Sequence, residues 1–401
     1  MRNPILKYDS DKIYTFGFIS LLIRLIVNFS NILQVNGIVD MALLVVFVIC
    51  MLFVLIEEML TEVQLFAVIA IGAVCLFSYN KMNNYYLLAT YFCMAASKNI
   101  NLKYVLDYSF KVKTFLLSFH VIVYIFTLIN DPSSIKYVYR DGVLRHSLFM
   151  SHANTFSMFL IWTIFEYLYV NYERLTLRSL IIIAAINTVL NYFTSSVTNT
   201  ILWFLVMIAV LINKLYPTWR MDSLRWFVKY GFAILSAFFS LITVFYRRLS
   251  GPFIIFYDWL NDFFTGRLIY GAYMFEKFGA TFFGQTLKLP KNDYWNGRWF
   301  NGIACDNSYL WHLVSFGTLY LILLSLLFFV VANKASKKDT IFLAAYILYG
   351  ITEMYVTNAV LCFPLIILAQ YMFQLNNIDN FQLKIKIRNR NKHFEEGNRE
   401  S

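Results

Sequence analysis

Along this chain apolar residues come in long uninterrupted runs parted by short polar breaks, without the every-second-position alternation of strands. About 20 apolar residues carry an α-helix across the hydrocarbon of a bilayer, and in lipid only helices and closed barrels satisfy their own backbone. Barrel strands alternate, so the continuous runs exclude the barrel. Twelve windows qualify: 13–34, 38–56, 63–79, 84–97, 112–129, 153–170, 179–194, 199–213, 226–245, 309–332, 340–353 and 358–374. The pattern therefore predicts an all-α integral membrane protein of about twelve transmembrane helices. The stretch PFIIFYDWLNDFF (252–264) is apolar but too short to cross, and predicts an interfacial or re-entrant helix.

Composition removes the soluble alternatives. Of 401 residues, 59% are hydrophobic and 14% charged, with a mean hydropathy of +0.59. A soluble domain carries about 25% charged residues, so this chain lacks the polar surface a soluble enzyme needs. Six prolines and 15 glycines are too few for a collagen-like or disordered chain. Cys50, Cys75, Cys93, Cys305 and Cys362 offer neither a disulfide framework nor a metal cluster. The basic, then apolar, N-terminus lacks a small-residue cleavage site and predicts a retained first span.

The cations set an orientation. With the N-terminus in the cytoplasm, 22 of the 34 lysines and arginines fall on inner segments, 11 on outer ones, and Arg24 inside a span. Seven of the outer eleven sit in one long loop, 246–306, and long loops escape the positive-inside rule. Both termini are thus expected in the cytoplasm, and the net charge of +11 reflects topology. Four parts follow: nine helices with an outer loop at 130–152 (1–245), a large extracytoplasmic loop (246–308), three more helices (309–374) and a basic cytoplasmic tail (375–401). The tail reads as a solvated run beside anionic lipid headgroups, and nucleic acid is not expected as a partner.

Candidate chemistry gathers where cations stand against that bias. Arginine presents a planar fork of donors matched to phosphate and stays charged in any surroundings. Arg140, Arg145, Arg247, Arg248 and Arg267 all fall on outer segments and together point to an anionic ligand; singly, each would serve equally well on lipid headgroups. Gly266 permits a tight turn and Arg267 opens a predicted helix, whose free N–H groups would add to an anion seat. Trp295 and Trp299 suit either the apolar faces of sugars or a membrane-interface belt. Asp306 and Asn307 suit a helix N-cap, and Asp306 equally a general base. His146, His152, His312 and Glu353 are further acid–base candidates. Arg24 needs a cavity or a partner, with Asp40 and Glu58 both within choice. There is no phosphate-binding glycine loop, HExxH pair or GxSxG elbow, so a metalloprotease, an ATPase and any resident metal or cofactor are not expected.

Three patches resemble a known group, the Wzy-like polysaccharide polymerases of the O-antigen polymerase and ligase superfamily. RHSLFMSHANTFSM (145–158) resembles its arginine–spacer–His-Pro-Asn patch, with Ala153 in place of proline. FTGRLIYGAYMFEKFGATFFGQ (264–285) is similar to its threonine-glycine-arginine helix and the following glycine turn, here Gly284. CDNSYLWHLVSFG (305–317) resembles the Asp-Asn-x-Tyr segment that ends the large loop, with a later glycine at Gly317. The resemblance implies a GT-C-like membrane glycosyltransferase of the cytoplasmic membrane, working on its extracytoplasmic face. It would join polyprenyl-diphosphate-linked oligosaccharide units, metal-independently and with inversion. Arg145 and Arg267 would hold the diphosphate, assisted by Arg140, Arg247 or Arg248, with His146, Asn154, Asn307, Trp295 and Trp299 as further substrate contacts. Asp306 is the first expectation for the base, and His152 the second. Related ligases tend to carry histidine at the place of Asp306, which leans toward a polymerase. Besides membrane lipids, the implied partners are a chain-length regulator and a flippase of the same pathway. The rival classes are a lipid-linked sugar flippase, a ligase-type transferase, a non-catalytic scaffold and a sugar O-acyltransferase.

Overall fold

A computed structural model describes residues 4–82, 85–135, 137–140, 142–246, 250–301 and 305–374; Arg247, Arg248 and the basic tail lie outside the described residues. The chain is mostly helical. Helices α1 (Pro4–Phe29), α2 (Gly37–Glu57), α3 (Glu62–Met82), α4 (Tyr86–Ala95) and α5 (Leu102–Asn130) lead into an antiparallel hairpin of β1 (Tyr137–Arg140) and β2 (Val143–His146). Helices α6 (Ala153–Val170), α7 (Leu177–Thr194), α8 (Val197–Leu215), α9 (Asp222–Phe245), α10 (Pro252–Phe263) and α11 (Arg267–Phe278) follow. A second hairpin, β3 (Asn292–Trp295) and β4 (Arg298–Asn301), precedes α12 (Ser308–Trp311), α13 (Thr318–Val331), α14 (Lys337–Tyr349) and α15 (Pro364–Gln374). The two hairpins depart from the purely helical expectation.

Among the described residues seven helices are long and apolar enough to cross a membrane: α1 (over Asp9–Phe29), α2, α3, α5, α7, α8 and α9. Their outward faces are hydrocarbon. In α2 only Phe47, Met51 and Val54 are buried, one stripe at helical spacing, while Ile38 and Ile56 remain about four-fifths exposed. So much continuous apolar surface is incompatible with water and natural in lipid. Helix α6 is the reverse case. Sixteen of its 18 residues are buried, with Trp162 edge-on to Phe165, Tyr349 and Phe363 at 5.4–5.9 Å. It is the centre of the bundle.

Two buried cations inside the bundle are paired with carboxylates. Arg24 bonds Asp40 at 2.7 Å and stacks over Tyr85 at 4.4 Å, which decides its partner. Lys113 of α5 meets Glu166 of α6 at 2.7 Å with both side chains fully buried, and Ser109 donates to the same carboxylate oxygen at 2.9 Å.

Three apolar windows are interrupted. Window 309–332 divides into α12, a π-helical turn over His312–Phe316, a break at Gly317 and α13. Within 358–374 the helix begins only at Pro364, where proline's fixed φ and missing N–H suit a first position. Within 340–353 the helix ends at Tyr349, which leaves Glu353 in the non-helical loop beyond α14. Helix α10 occupies the short apolar stretch as expected, with Phe253, Ile255 and Phe263 exposed.

Glycines let the loop carrying α11 dock closely. A Cβ on Gly271 would lie 2.4 Å from Leu310 of α12. Gly284 and Gly317 face each other backbone to backbone, since a Cβ on Gly317 would fall 2.5 Å from the Gly284 nitrogen. Around them Gln285 N donates to Ser315 O (2.9 Å), Thr318 N to Thr281 O (3.0 Å) and Leu319 N to Phe282 O (3.2 Å). The strap 279–285 is thereby sewn onto the break before α13. Hairpin β3–β4 clips onto α11 through Tyr273 with Asp293 (2.6 Å), Lys277 with Asp293, and Trp295 with Glu276 (3.0 Å).

Candidate functional site

Strand alternation aims Arg145. In β2 residues two apart share a face, so Val143 and Arg145 turn toward one cavity while His146 turns away. His146 instead bonds the Tyr124 hydroxyl and sits edge-on among Tyr124, Tyr137 and Phe193, where burial lowers its pKa. Arg145 donates from Nε to Thr194 O at 3.0 Å and from Nη2 to Asn154 Oδ1. Thr194 ends α7, so its carbonyl is one of the acceptors a helix leaves unmet, and a cation satisfies it well.

Arg267 reaches the same cavity from the other side. Thr265 and Gly266 both have positive φ, at 53° and 82°, a conformation that a β-branched residue adopts only under constraint. This turn makes Arg267 the first residue of α11 and folds the Thr265 hydroxyl back onto its Nη1. Nη1 also donates to Phe264 O and Nε to Thr352 O, each at 3.2 Å, and Arg267 is only 8% exposed.

The cavity holds about 600 Å³. Arg145 and Arg267 share it with Glu353, Asn154, Thr265 and a wall from the α7–α8 turn, including Asn191, Tyr192, Ser196 and Thr198. Three helices point their N-termini at this space: α6 through Asn154, α8 through Val197 and Thr198, and α11 through Arg267. The N-cap residues of α6 and α8, His152 and Ser196, make no side-chain cap, whereas in α11 Ile269 N donates to Asn261 Oδ1 at 3.0 Å and Arg267 N to Phe264 O at 3.3 Å. The N–H groups opening α6 and α8, three helix dipoles and two guanidinium groups are together a strong anion seat. Beneath the α7–α8 wall lies a buried polar network, in which Ser157 donates to Asn191 (2.5 Å), Asn191 to Asn187 (2.9 Å) and Asn199 to Ser157 (2.7 Å).

One carboxyl group belongs to the cavity. Glu353 is 2% exposed, and burial pushes its pKa up to about 8; the charge of Asp306 adds to the rise while Arg267 and Arg145 oppose it. Asp306 itself is half-buried beside Glu353 and does not line the cavity. Asn307 caps α12, accepting from Leu310 N at 3.0 Å and donating to Ile351 O at 2.7 Å, so its amide is committed to structure.

Of the residues singled out from the sequence, Arg145, Arg267 and Asn154 come together here. His152 occupies the N-cap position of α6 without capping it, exposed and outside the cavity lining. His146 stands behind the strand. Arg140 ends β1 opposite Val143. Trp295 is half-buried against Tyr246, Tyr273 and Phe300, and Trp299 lies exposed beside Tyr294. Neither tryptophan lines the cavity. Sequence reasoning passed over the α7–α8 turn, although TSSVTNT (194–200) is too polar for a bland turn between two apolar helices. Among the described residues no cluster of ligating side chains could hold a metal.

Comparison with known proteins returns no match of any kind: no family model, no curated protein and no solved structure.

Proposed function

We propose that this chain is a polysaccharide polymerase, a membrane glycosyltransferase joining polyprenyl-diphosphate-linked oligosaccharide units with release of polyprenyl diphosphate. In this reading the chain crosses the cytoplasmic membrane about twelve times with both termini inside, and the cavity opens on the extracytoplasmic face. The observation that carries it is the convergence of Arg145, Arg267 and the N-terminal turns of α6 and α8 on one cavity within an apolar bundle.

The chemistry follows from what such a site favours. A sugar bound through its anomeric carbon to a lipid diphosphate needs its leaving group stabilised as negative charge grows there. Two fixed guanidinium groups and oriented N–H groups do this without reorganising. An acceptor hydroxyl attacks the anomeric carbon from the face opposite the departing diphosphate, which inverts the centre. The hydroxyl and amide groups of the α7–α8 wall suit the hydroxyls of the sugars.

Alanine at Arg145 or at Arg267 tests the reading in cells lacking the native copy. Removing one such contact costs on the order of 10²–10³-fold in rate. Gels of surface polysaccharide should show single repeats in place of long chains, with each variant present in the membrane at normal amount. Wild-type chain length in both variants would refute the proposal. Accumulation of lipid-linked units on the cytoplasmic face would favour a flippase instead.

A further inference from the structure

We infer that Glu353 is the catalytic residue that takes the proton from the attacking hydroxyl, an assignment that rests on the transferase reading above. The sequence alone favoured Asp306 and then His152 for this task. The geometry favours Glu353, because of the three it alone lines the cavity that Arg145 and Arg267 share.

Its backbone is held with unusual completeness. Ser308 N donates to Gly350 O (2.8 Å), Asn307 Nδ2 to Ile351 O (2.7 Å), Arg267 Nε to Thr352 O (3.2 Å), and the Ser308 hydroxyl to Glu353 O. Glu353 N closes the turn onto Tyr349 O at 3.1 Å. Four successive carbonyls are thus pinned, three to the segment opening α12 and one to the diphosphate-binding arginine itself. On that frame the Glu353 side chain lines the cavity together with Arg145 and Arg267.

The charged groups facing Glu353 are Asp306 from the segment before α12, Arg267 from α11 and Arg145 from β2. Burial and Asp306 favour the protonated form against the two arginines, so the carboxyl group titrates near neutral pH, where a general base works best. The step balances simply. The acceptor O–H gives its proton to a Glu353 carboxylate oxygen, and the acceptor oxygen forms a bond to the anomeric carbon. The bond from that carbon to the diphosphate oxygen breaks, and its electron pair leaves with the diphosphate. The proton then passes to water at the cavity mouth.

The test uses full-length Glu353→Gln, an isostere that preserves packing, together with Glu353→Asp. Two readouts are taken: binding of inorganic pyrophosphate to purified protein, and polymer formed by membranes of cells lacking the native copy between pH 6 and 9. Glu353→Gln should bind pyrophosphate within about threefold of wild type, yet polymerise at least about a hundredfold more slowly, the span general-base loss covers. In the wild type the rate should rise about tenfold per pH unit and level off above the Glu353 pKa of about 8. Glu353→Asp should keep that acid limb at reduced rate, which a merely structural role would not produce. Near-normal polymerisation by Glu353→Gln with the acid limb intact would overturn the assignment and leave the transferase reading standing. Loss of pyrophosphate binding in Glu353→Gln would also overturn it, by making Glu353 a binding group. If wild-type protein itself binds no pyrophosphate, the transferase reading falls with it.

Discussion

Replacing Gly317 by alanine should undo the docking that brings Arg267 beside Glu353. Gly317 has φ 89° and ψ 166°, a region almost closed to residues with a Cβ, and entry costs about 1–3 kcal/mol. The added Cβ would also meet backbone at 2.5 Å (Gly284 N) and 2.6 Å (Phe282 O). Neither contact can rotate away, so the strap 279–285 must lift. Lifting it gives up three backbone hydrogen bonds, from Gln285, Thr318 and Leu319, each worth about 0.5–1.5 kcal/mol. The expected loss is about 5 kcal/mol by these two terms. Gly297 is the control: its φ is 79°, but a Cβ there meets nothing within 4 Å. Alanine at Gly297 should cost about 1–2 kcal/mol for the left-handed conformation alone. Thermal unfolding of detergent-purified protein, followed by tryptophan fluorescence, would compare the two variants. Gly317→Ala should melt several degrees below Gly297→Ala and lose polymer formation with it. Equal midpoints for the two variants would refute the clamp, because the difference isolates the backbone contact.

Two further outcomes follow from the same geometry. Arg267→Lys keeps the charge but loses the fork that spans Thr352 O, Phe264 O and Thr265, so polymer yield should fall almost as far as in Arg267→Ala; full rescue by lysine, read on the same gels, would show that charge alone suffices. Asp306→Asn removes a negative neighbour that raises Glu353, so the acid limb of the pH–rate profile should move to lower pH with activity retained; an inactive variant would return the base to Asp306.

Much of the helical frame was legible because a membrane asks a simple question of each segment. Window 153–170 coincides with α6, and 38–56 and 179–194 fall within two residues of α2 and α7. Apolarity, however, marks where lipid lies and not where a helix ends. Window 112–129 misses the first ten residues of α5, which are helical but polar and capped by Asn101. Lys113, at the start of that window, is buried against Glu166, and hydropathy cannot see a partner 53 residues away. Window 309–332 hid a π turn and Gly317, because local backbone geometry carries no apolar signature. For the cavity, charge against the topology bias singled out Arg145 and Arg267. It could not rank Glu353 above Asp306, because burial depends on how the loop after α14 returns to α12. The α7–α8 wall went unread because its residues are uncharged.

A density map of the full-length protein in lipid nanodiscs with undecaprenyl diphosphate tests the central claim most directly. The account predicts the two phosphates inside the 600 Å³ cavity, within hydrogen-bond reach of Arg145 and Arg267 and of the first N–H groups of α8. Diphosphate density elsewhere on the protein, with this cavity holding only water, would contradict it.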